Sequence, residues 1–411
     1  MDVLQLFRRI TRTTESRPTR PNLMATLFGL GRRNNKSNDT DWSMLEDALG
    51  PADAIPSLIK SLESEDRKSR QTALEALEDR LIHQGAFVFE ATPHAVPVMV
   101  KALENEDLLD RYAIVRMLIK IGHGVSVFEQ FDQSDALQDA MKQQLNTPEM
   151  MEQRKRNDEW VQSAHRAVRG AVPMIEKLLL SSDRRLRSWA TFFLGEFGVE
   201  DPRVLAALMG IMRSDTNSHV RATGAFAVSR GTPAPVVAGE IKNALDKEGH
   251  PLTRLVMAMS LARLLKEYTP EEVEQSIVKA LVEPEMVEEA YADLPWVQNK
   301  LHVDVIACLS ILGEEALQRT LNALSASDKD TATASVKPLL NRLLMSVFYK
   351  RPKQTPEALT LRQKQTIMYL TSHKNLWSDH YESSLKDILK AFKLPTDRME
   401  LIQYVGMTPS A

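Results

Sequence analysis

Cysteine is almost missing from this chain of 411 residues: Cys308 stands alone, so no intramolecular disulfide can brace the fold, and a reducing compartment, the cytoplasm, suits it. That thiol lies in the apolar run VDVIACLSILG, where nothing would stabilise a thiolate, and it is read as buried and inert. Neither sign of charge is in excess, with 52 Lys and Arg against 55 Asp and Glu and a net charge of −3. Duplex nucleic acid is therefore a disfavoured partner, because its affinity depends on many phosphate contacts. No apolar run reaches the roughly 18 residues that a membrane span needs. The phosphate-cradling G-x-x-x-x-G-K-[ST], the dinucleotide G-x-G-x-x-G, the G-x-S-x-G elbow and the zinc-binding H-E-x-x-H are also lacking. The expectation is a protein that is not an enzyme, with no cofactor and no metal.

What the chain does contain is repetition. AIPSLIKSL from Ala54, AVPVMVKAL from Ala95 and AVPMIEKLL from Ala171 share one pattern of Ala, Ile or Val, Pro, Lys and Leu. Downstream of each, an Asp precedes an Arg by four residues: Asp66 and Arg70, Asp107 and Arg111, Asp183 and Arg187. The arginines recur after 41, 76, 34 and 33 residues, through Arg221 to Arg254, close to the period of helical-pair solenoids. Within RQTALEALEDRLI, Ala73, Leu74, Leu77 and Leu81 form one apolar stripe at helical spacing. A single helix cannot bury such a stripe, whereas pairing and stacking can. The expected fold is all-α, an α-solenoid of helical hairpins.

The pattern resembles the HEAT repeat family, in which a first helix, often bent by proline, turns at an Asp and returns as a second helix opening with Val-Arg. HVRATGAFAVSRG from His219 carries that pair. The resemblance covers roughly residues 44 to 350 and weakens after Gly231, where the later repeats lose the Asp. Over residues 42 to 125, Trp42 and Leu45, GPADAIPSLIKSL, LIHQG and EATPHAVP are similar to a bacterial family of HEAT repeat proteins with a His-Gln-Gly inter-repeat connection. That family has no well-established activity.

Five segments are expected: a basic flexible leader over 1–41, first HEAT-like repeats over 42–125, a helical insertion over 126–166, further repeats over 167–350 and a C-terminal helical cap over 351–411. The leader carries Arg8, Arg9, Arg12, Arg17, Arg20, Arg32 and Arg33, and docking or targeting is its alternative use. The insertion, polar and without repeat signature, is expected to project from the stack.

Three groups of residues invite a functional reading. His83, His94 and His123, with Glu90, fall on or near inter-repeat connections, but no pair has the i, i+4 spacing of a helical zinc site, so helix ending is preferred to metal binding. Gly85 is expected to end a helix in left-handed geometry and Thr92 to cap the next one ahead of Pro93. Asp66, Arg70, Asp107, Arg111, Asp183, Arg187 and Arg221 are read as structural repeat positions: the Asp caps a helix, the Arg spans to the neighbouring repeat's Asp. The cluster RSWATFFLGEFG is the third group. Trp189, Phe192, Phe193 and Phe197 cannot share one narrow stripe, since successive residues turn by about 100°.

One or two of these aromatics must face elsewhere: wide burial between three helices is the preferred reading, and an exposed anchor on a binding face, shared with Tyr112 and Arg116 of an earlier second helix and with Glu196, is the functional one. Tyr112, Arg116, Trp189, Phe193 and Glu196 are thus the candidate partner-binding residues of a scaffold gripping a protein or peptide in a concave groove. The alternative is a DNA-repair enzyme. Some alkylpurine DNA glycosylases resemble HEAT stacks and hold damaged duplex with Trp, Asp and Arg, a set that Trp189, Arg187 and Asp183 echo.

Overall fold

The computed structural model describes residues 40–132, 146–232, 234–326, 330–348 and 356–406. Nearly all of the expected leader, part of the insertion and both ends of the expected cap lie outside them. The chain divides into an N-terminal body, Met1–Phe193, and a C-terminal body, Leu194–Ala411. The architecture is all-α, built from successive helical hairpins, with two minimal antiparallel strand pairs in the N-terminal body.

In that body α1 (Ile55–Ser61) and α2 (Arg67–Leu81) form the first hairpin, and α3 (Thr92–Ala102) and α4 (Arg111–Gly122) the second. Proline sets the geometry of the first helices: Pro56 occupies the opening turn of α1, and Pro97 lies inside α3. Leu77 and Leu81 of α2 and Leu118 and Ile121 of α4 are fully buried, each such side chain contributing about 1.5–3 kcal/mol.

The stretch between the hairpins is structured. β3 (Ile82–His83) pairs with β4 (Phe87–Val88) through a tight turn in which Gln84 and Gly85 both take positive φ, 56° and 73°. The smaller pair, β1 (Glu46–Asp47) and β2 (Gly50–Pro51), lies ahead of α1. Phe87 is buried and Phe89 is half-buried. Thr92 does not cap α3: the capping position is Ala91, without a side-chain bond. The Thr92 hydroxyl instead donates to the Leu81 carbonyl at 2.6 Å and accepts from the Phe89 amide at 3.1 Å, tying the end of one hairpin to the start of the next.

After α5 (Val127–Asp132) comes α6 (Pro148–Gly170), which does not project from the stack. It packs along α3 and α4 and runs directly into α7 (Val172–Lys177). Its polar composition hides three buried anchors, Met150, Ala164 and Val168, and a buried amide. Asn157 accepts from the Ser126 hydroxyl at 2.6 Å and donates to the Val88 carbonyl at 3.3 Å, while His165 bonds the Gly124 carbonyl at 2.8 Å. These bonds meet the polar backbone of the preceding loop, so a polar helix face is what docking requires here.

The next helix, α8 (Arg184–Phe197), contains the division between the bodies. In the C-terminal body the hairpins are α9 (Pro202–Ser214) with α10 (Ser218–Val228), α11 (Ala234–Leu245) with α12 (Pro251–Leu265), and α13 (Glu271–Val282) followed, beyond the short α14 (Glu288–Ala292), by α15 (Leu301–Leu312). A last hairpin joins α16 (Glu314–Ser325) to α17 (Asp330–Phe348). Two layers result. α10 packs on α12, α12 on α15 and α15 on α17, while α9 meets α11 and α13 meets α16 on the other side. Each helix touches mainly its sequence neighbours, as a linear stack demands.

Three helices cap the stack: α18 (Leu361–Ser372), α19 (Glu382–Ala391) and α20 (Arg398–Tyr404). The Tyr369 hydroxyl bonds both the Gln318 carbonyl at 2.9 Å and the Asn322 side chain at 2.7 Å, and burial pushes its pKa upward. Gln363 donates to the Val347 carbonyl at 3.0 Å, and Arg362 pairs with Glu314 at 2.6 Å.

Candidate functional site

The repeated arginines have one shared task. Arg70, Arg187, Arg221 and Arg254 are each the fourth residue of a second helix, α2, α8, α10 and α12. From each, Nη1 donates to the carbonyl six residues earlier: Ser64 at 3.0 Å, Ser181 at 2.8 Å, Asp215 at 2.9 Å and Glu248 at 2.7 Å. The guanidinium thus satisfies orphan acceptors where the first helix ends, and its charge opposes that helix's negative dipole end. A carboxylate of the following repeat completes two of these sites. Arg70 meets Asp110 at 2.8 Å, and Arg221 makes a two-pronged pair with Glu248 at 2.7 and 3.0 Å.

Asp66 and Asp183 each accept a backbone amide of the helix that follows, from Ser69 and from Arg185, both at 2.8 Å. The Ser69 hydroxyl and amide hold Asp66 below the ordinary carboxylate pKa. Asp107 and Arg111 depart from the expected register. Arg111 is the first residue of α4, not its fourth, and Asp110, at φ 57°, precedes the helix and receives Arg70 in place of Asp107. Three residues more in the turn of ENEDLLDR delay the helix start, and the partnership moves with it.

The histidines do not converge on a site. Nδ1 of His83 contacts the Asp79 carbonyl at 3.3 Å, its ring meets Phe89 edge-on, and its Nε2 is buried without a hydrogen-bond partner. His94 is half-buried in α3, and burial lowers its pKa; His123 ends α4 and is exposed. Glu90 accepts the Glu46 amide at 3.2 Å. Among the described residues, no group of three or more His, Cys, Asp or Glu is placed to hold a metal ion. Cys308 is buried, with its pKa pushed up to about 11 by burial. Ser325 and His373 approach to 3.2 Å, a pairing that sequence spacing did not reveal. The serine hydroxyl also contacts the Asn322 carbonyl at 3.3 Å, and the contact joins α16 to the cap.

Of the five candidate partner-binding residues, three stay available. In the N-terminal body the Arg185 guanidinium lies over the Tyr112 ring at 4.9 Å, joining the first turn of α8 to that of α4. Arg116 and Trp189 follow one turn further along the two helices; Arg116 is exposed, and Trp189 is half-buried, edge-on to Phe192 at 6.2 Å. Phe193 is a correction. It is fully buried, so it belongs to the core and not to a binding face. Glu196, in the C-terminal body, is engaged by Arg230 at 2.9 Å with its side chain only 6% exposed, which removes it from the set as well. On α8 the partial exposure goes to Trp189 and Phe197, while Phe192 and Phe193 turn inward. Arg187 and Asp183, members of the glycosylase-like alternative, are both spent on the turn before α8.

One further cleft, of about 580 Å³, opens in the C-terminal body among Met212, Arg213, Glu240, Asn243, Lys247 and Glu248. Its charges are largely matched internally, Arg213 with Glu240 and Glu248 with Arg221. Among the described residues no helix is long and apolar enough to cross a membrane.

No protein-family model matches the chain, and no curated protein matches it. Among solved structures, the crystal structure of an engineered protein aligns over 86% of this chain and 92% of its own, at 18% identity and a TM-score of 0.27. A likeness that loose bears on neither fold nor function.

Proposed function

We propose that the protein is a non-enzymatic interaction scaffold of the HEAT type, acting in the cytoplasm, whose second helices grip a protein or peptide. The observation that supports this reading is the Tyr112–Arg185 contact at 4.9 Å. It holds α4 and α8 side by side, so that Arg116 and Trp189 stand one turn along on neighbouring helices. Arginine and tryptophan are among the residue types that most often carry binding energy at protein interfaces. Affinity capture from the native cell, using the full chain and its Arg116→Glu and Trp189→Ala forms, tests the proposal. Trp189→Ala should weaken capture of the same partner by tenfold or more, about 1.4 kcal/mol, with helicity unchanged. Capture indifferent to both substitutions places the binding face elsewhere.

A further inference from the structure

The connection from α13 to α15, residues 283–300, is acidic: Glu283, Glu285, Glu288, Glu289 and Asp293 stand against Lys300 alone. Its first part is anchored in the core by three side chains. Val287, Tyr291 and Leu294 are buried, and the Tyr291 hydroxyl donates to Asp304 at 3.0 Å. Its last part, 295–300, has no helix, and there the half-buried Trp296 lies flat on Phe226 of α10, with ring centroids 4.3 Å apart and planes 12° from parallel. Two guanidinium groups flank the same Phe226 ring, Arg263 at 5.4 Å and Arg230 at 5.7 Å. Glu196 neutralises Arg230. Arg263, half-buried near the end of α12, has no carboxylate within ion-pair distance among the described residues.

The Phe226 ring is thus covered from within the chain, and of the two guanidinium groups beside it only Arg263 is left without a carboxylate among the described residues. A partly desolvated guanidinium gains most from an anion delivered by something that also covers the ring beside it. We propose that Trp296 is an internal stand-in for a partner's side chain, and that the Phe226–Arg263 platform binds a peptide presenting tryptophan next to carboxylates. The strap end swings out and the incoming tryptophan takes its place on Phe226, with the adjoining carboxylate on Arg263. This platform belongs to the C-terminal body and is independent of the Arg116–Trp189 face, so either proposal can fail alone.

The probe is a fluorescein-labelled hexapeptide with one tryptophan between aspartates, compared with its tryptophan-to-alanine and aspartate-to-asparagine counterparts by anisotropy. Trp296→Ala should bind the parent peptide at least tenfold more tightly than the unaltered protein, and Trp296→Phe, which keeps a ring on Phe226, should not. Both counterpart peptides, and Arg263→Gln in the Trp296→Ala background, should lose the gain. Hydrogen exchange on the unaltered chain gives a reading that needs no variant to fold: saturating peptide should speed exchange over 296–300 and leave 287–294 unchanged. Equal affinities with unchanged exchange overturn the proposal. So does a Trp296→Ala protein that dimerises without peptide, since the occupant would then be a second copy.

Discussion

At the scale of single residues, the fourth-position arginine is the most informative side chain in this protein. It joins three things at once: the carbonyls ending one helix, the start of the next, and in two cases a carboxylate one repeat away. Arg221 shows the balance. Burial pushes the carboxyl of Glu248 up, but the hydrogen bonds from Arg221 and from the His250 amide bring it below the ordinary value. A carboxylate with a lowered folded pKa adds stability above its unfolded pKa and loses it as pH falls through the folded value. Arg221→Met should therefore cost about 2–3 kcal/mol at neutral pH, since it strands Glu248 and two backbone acceptors. It should also flatten the decline in thermal stability below about pH 4.5 that this pair contributes. Thermal melts of both proteins between pH 7 and pH 3.5 check the two parts together. An Arg221→Met protein with unaltered melting temperature would mean that the recurring arginine is only decoration.

At the scale of elements, helix pairs are set as much by what is small as by what is large. Gly224 of α10 faces the backbone of α9 so closely that a Cβ would lie 2.8 Å from the Met212 nitrogen. Alanine gains about 1 kcal/mol in helix propensity over glycine, whereas overpacking against backbone costs about 1–3 kcal/mol. Met212 contributes main-chain atoms that cannot rotate aside, so overpacking wins, and Gly224→Ala should lower the urea midpoint with an unchanged m-value. This element also shows what a sequence can tell. The helical period and the proline-led first helices were legible because they follow from local stripes such as Ala73, Leu77 and Leu81. The start of α4 was not, because Asp107 and Asp110 are equally good turn residues and nothing local in ENEDLLDR separates them. Nor was the docking of α6, whose buried Asn157 reads as surface until its partners Ser126 and Val88 are in place. At the candidate site the sequence pointed to α8 as a whole. It did not tell Trp189 from Phe193, whose difference is which neighbour each turns toward, nor foresee that Trp296 meets Phe226 across seventy residues of chain.

At the scale of the whole molecule, contacts that run mainly between sequence neighbours have a consequence for how stability is distributed. In a linear stack each hairpin is held by the one before and the one after, so the end hairpin depends on its cap. In the C-terminal body that cap holds α16 and α17 through Tyr369, Gln363, Arg362 and the Lys337–Asp387 pair at 2.7 Å. It also covers Leu324 of α16, whose carbonyl accepts the Tyr381 hydroxyl at 3.3 Å. A chain ending before Pro356 would uncover apolar positions on both helices, among them Leu324 and Leu344, now fully buried. Hydrogen exchange should then accelerate most in α16 and α17, less in α15 and least in α9 and α10, because the loss must pass through each interface in turn. A globular body with non-local contacts would answer differently, with one rate increase shared by every helix from α9 onward. Uniform acceleration in the truncated protein would refute the stack as the unit of stability, whereas a gradient fading toward α9 would tie the cap to the last hairpin and leave the Phe226–Arg263 platform folded without it.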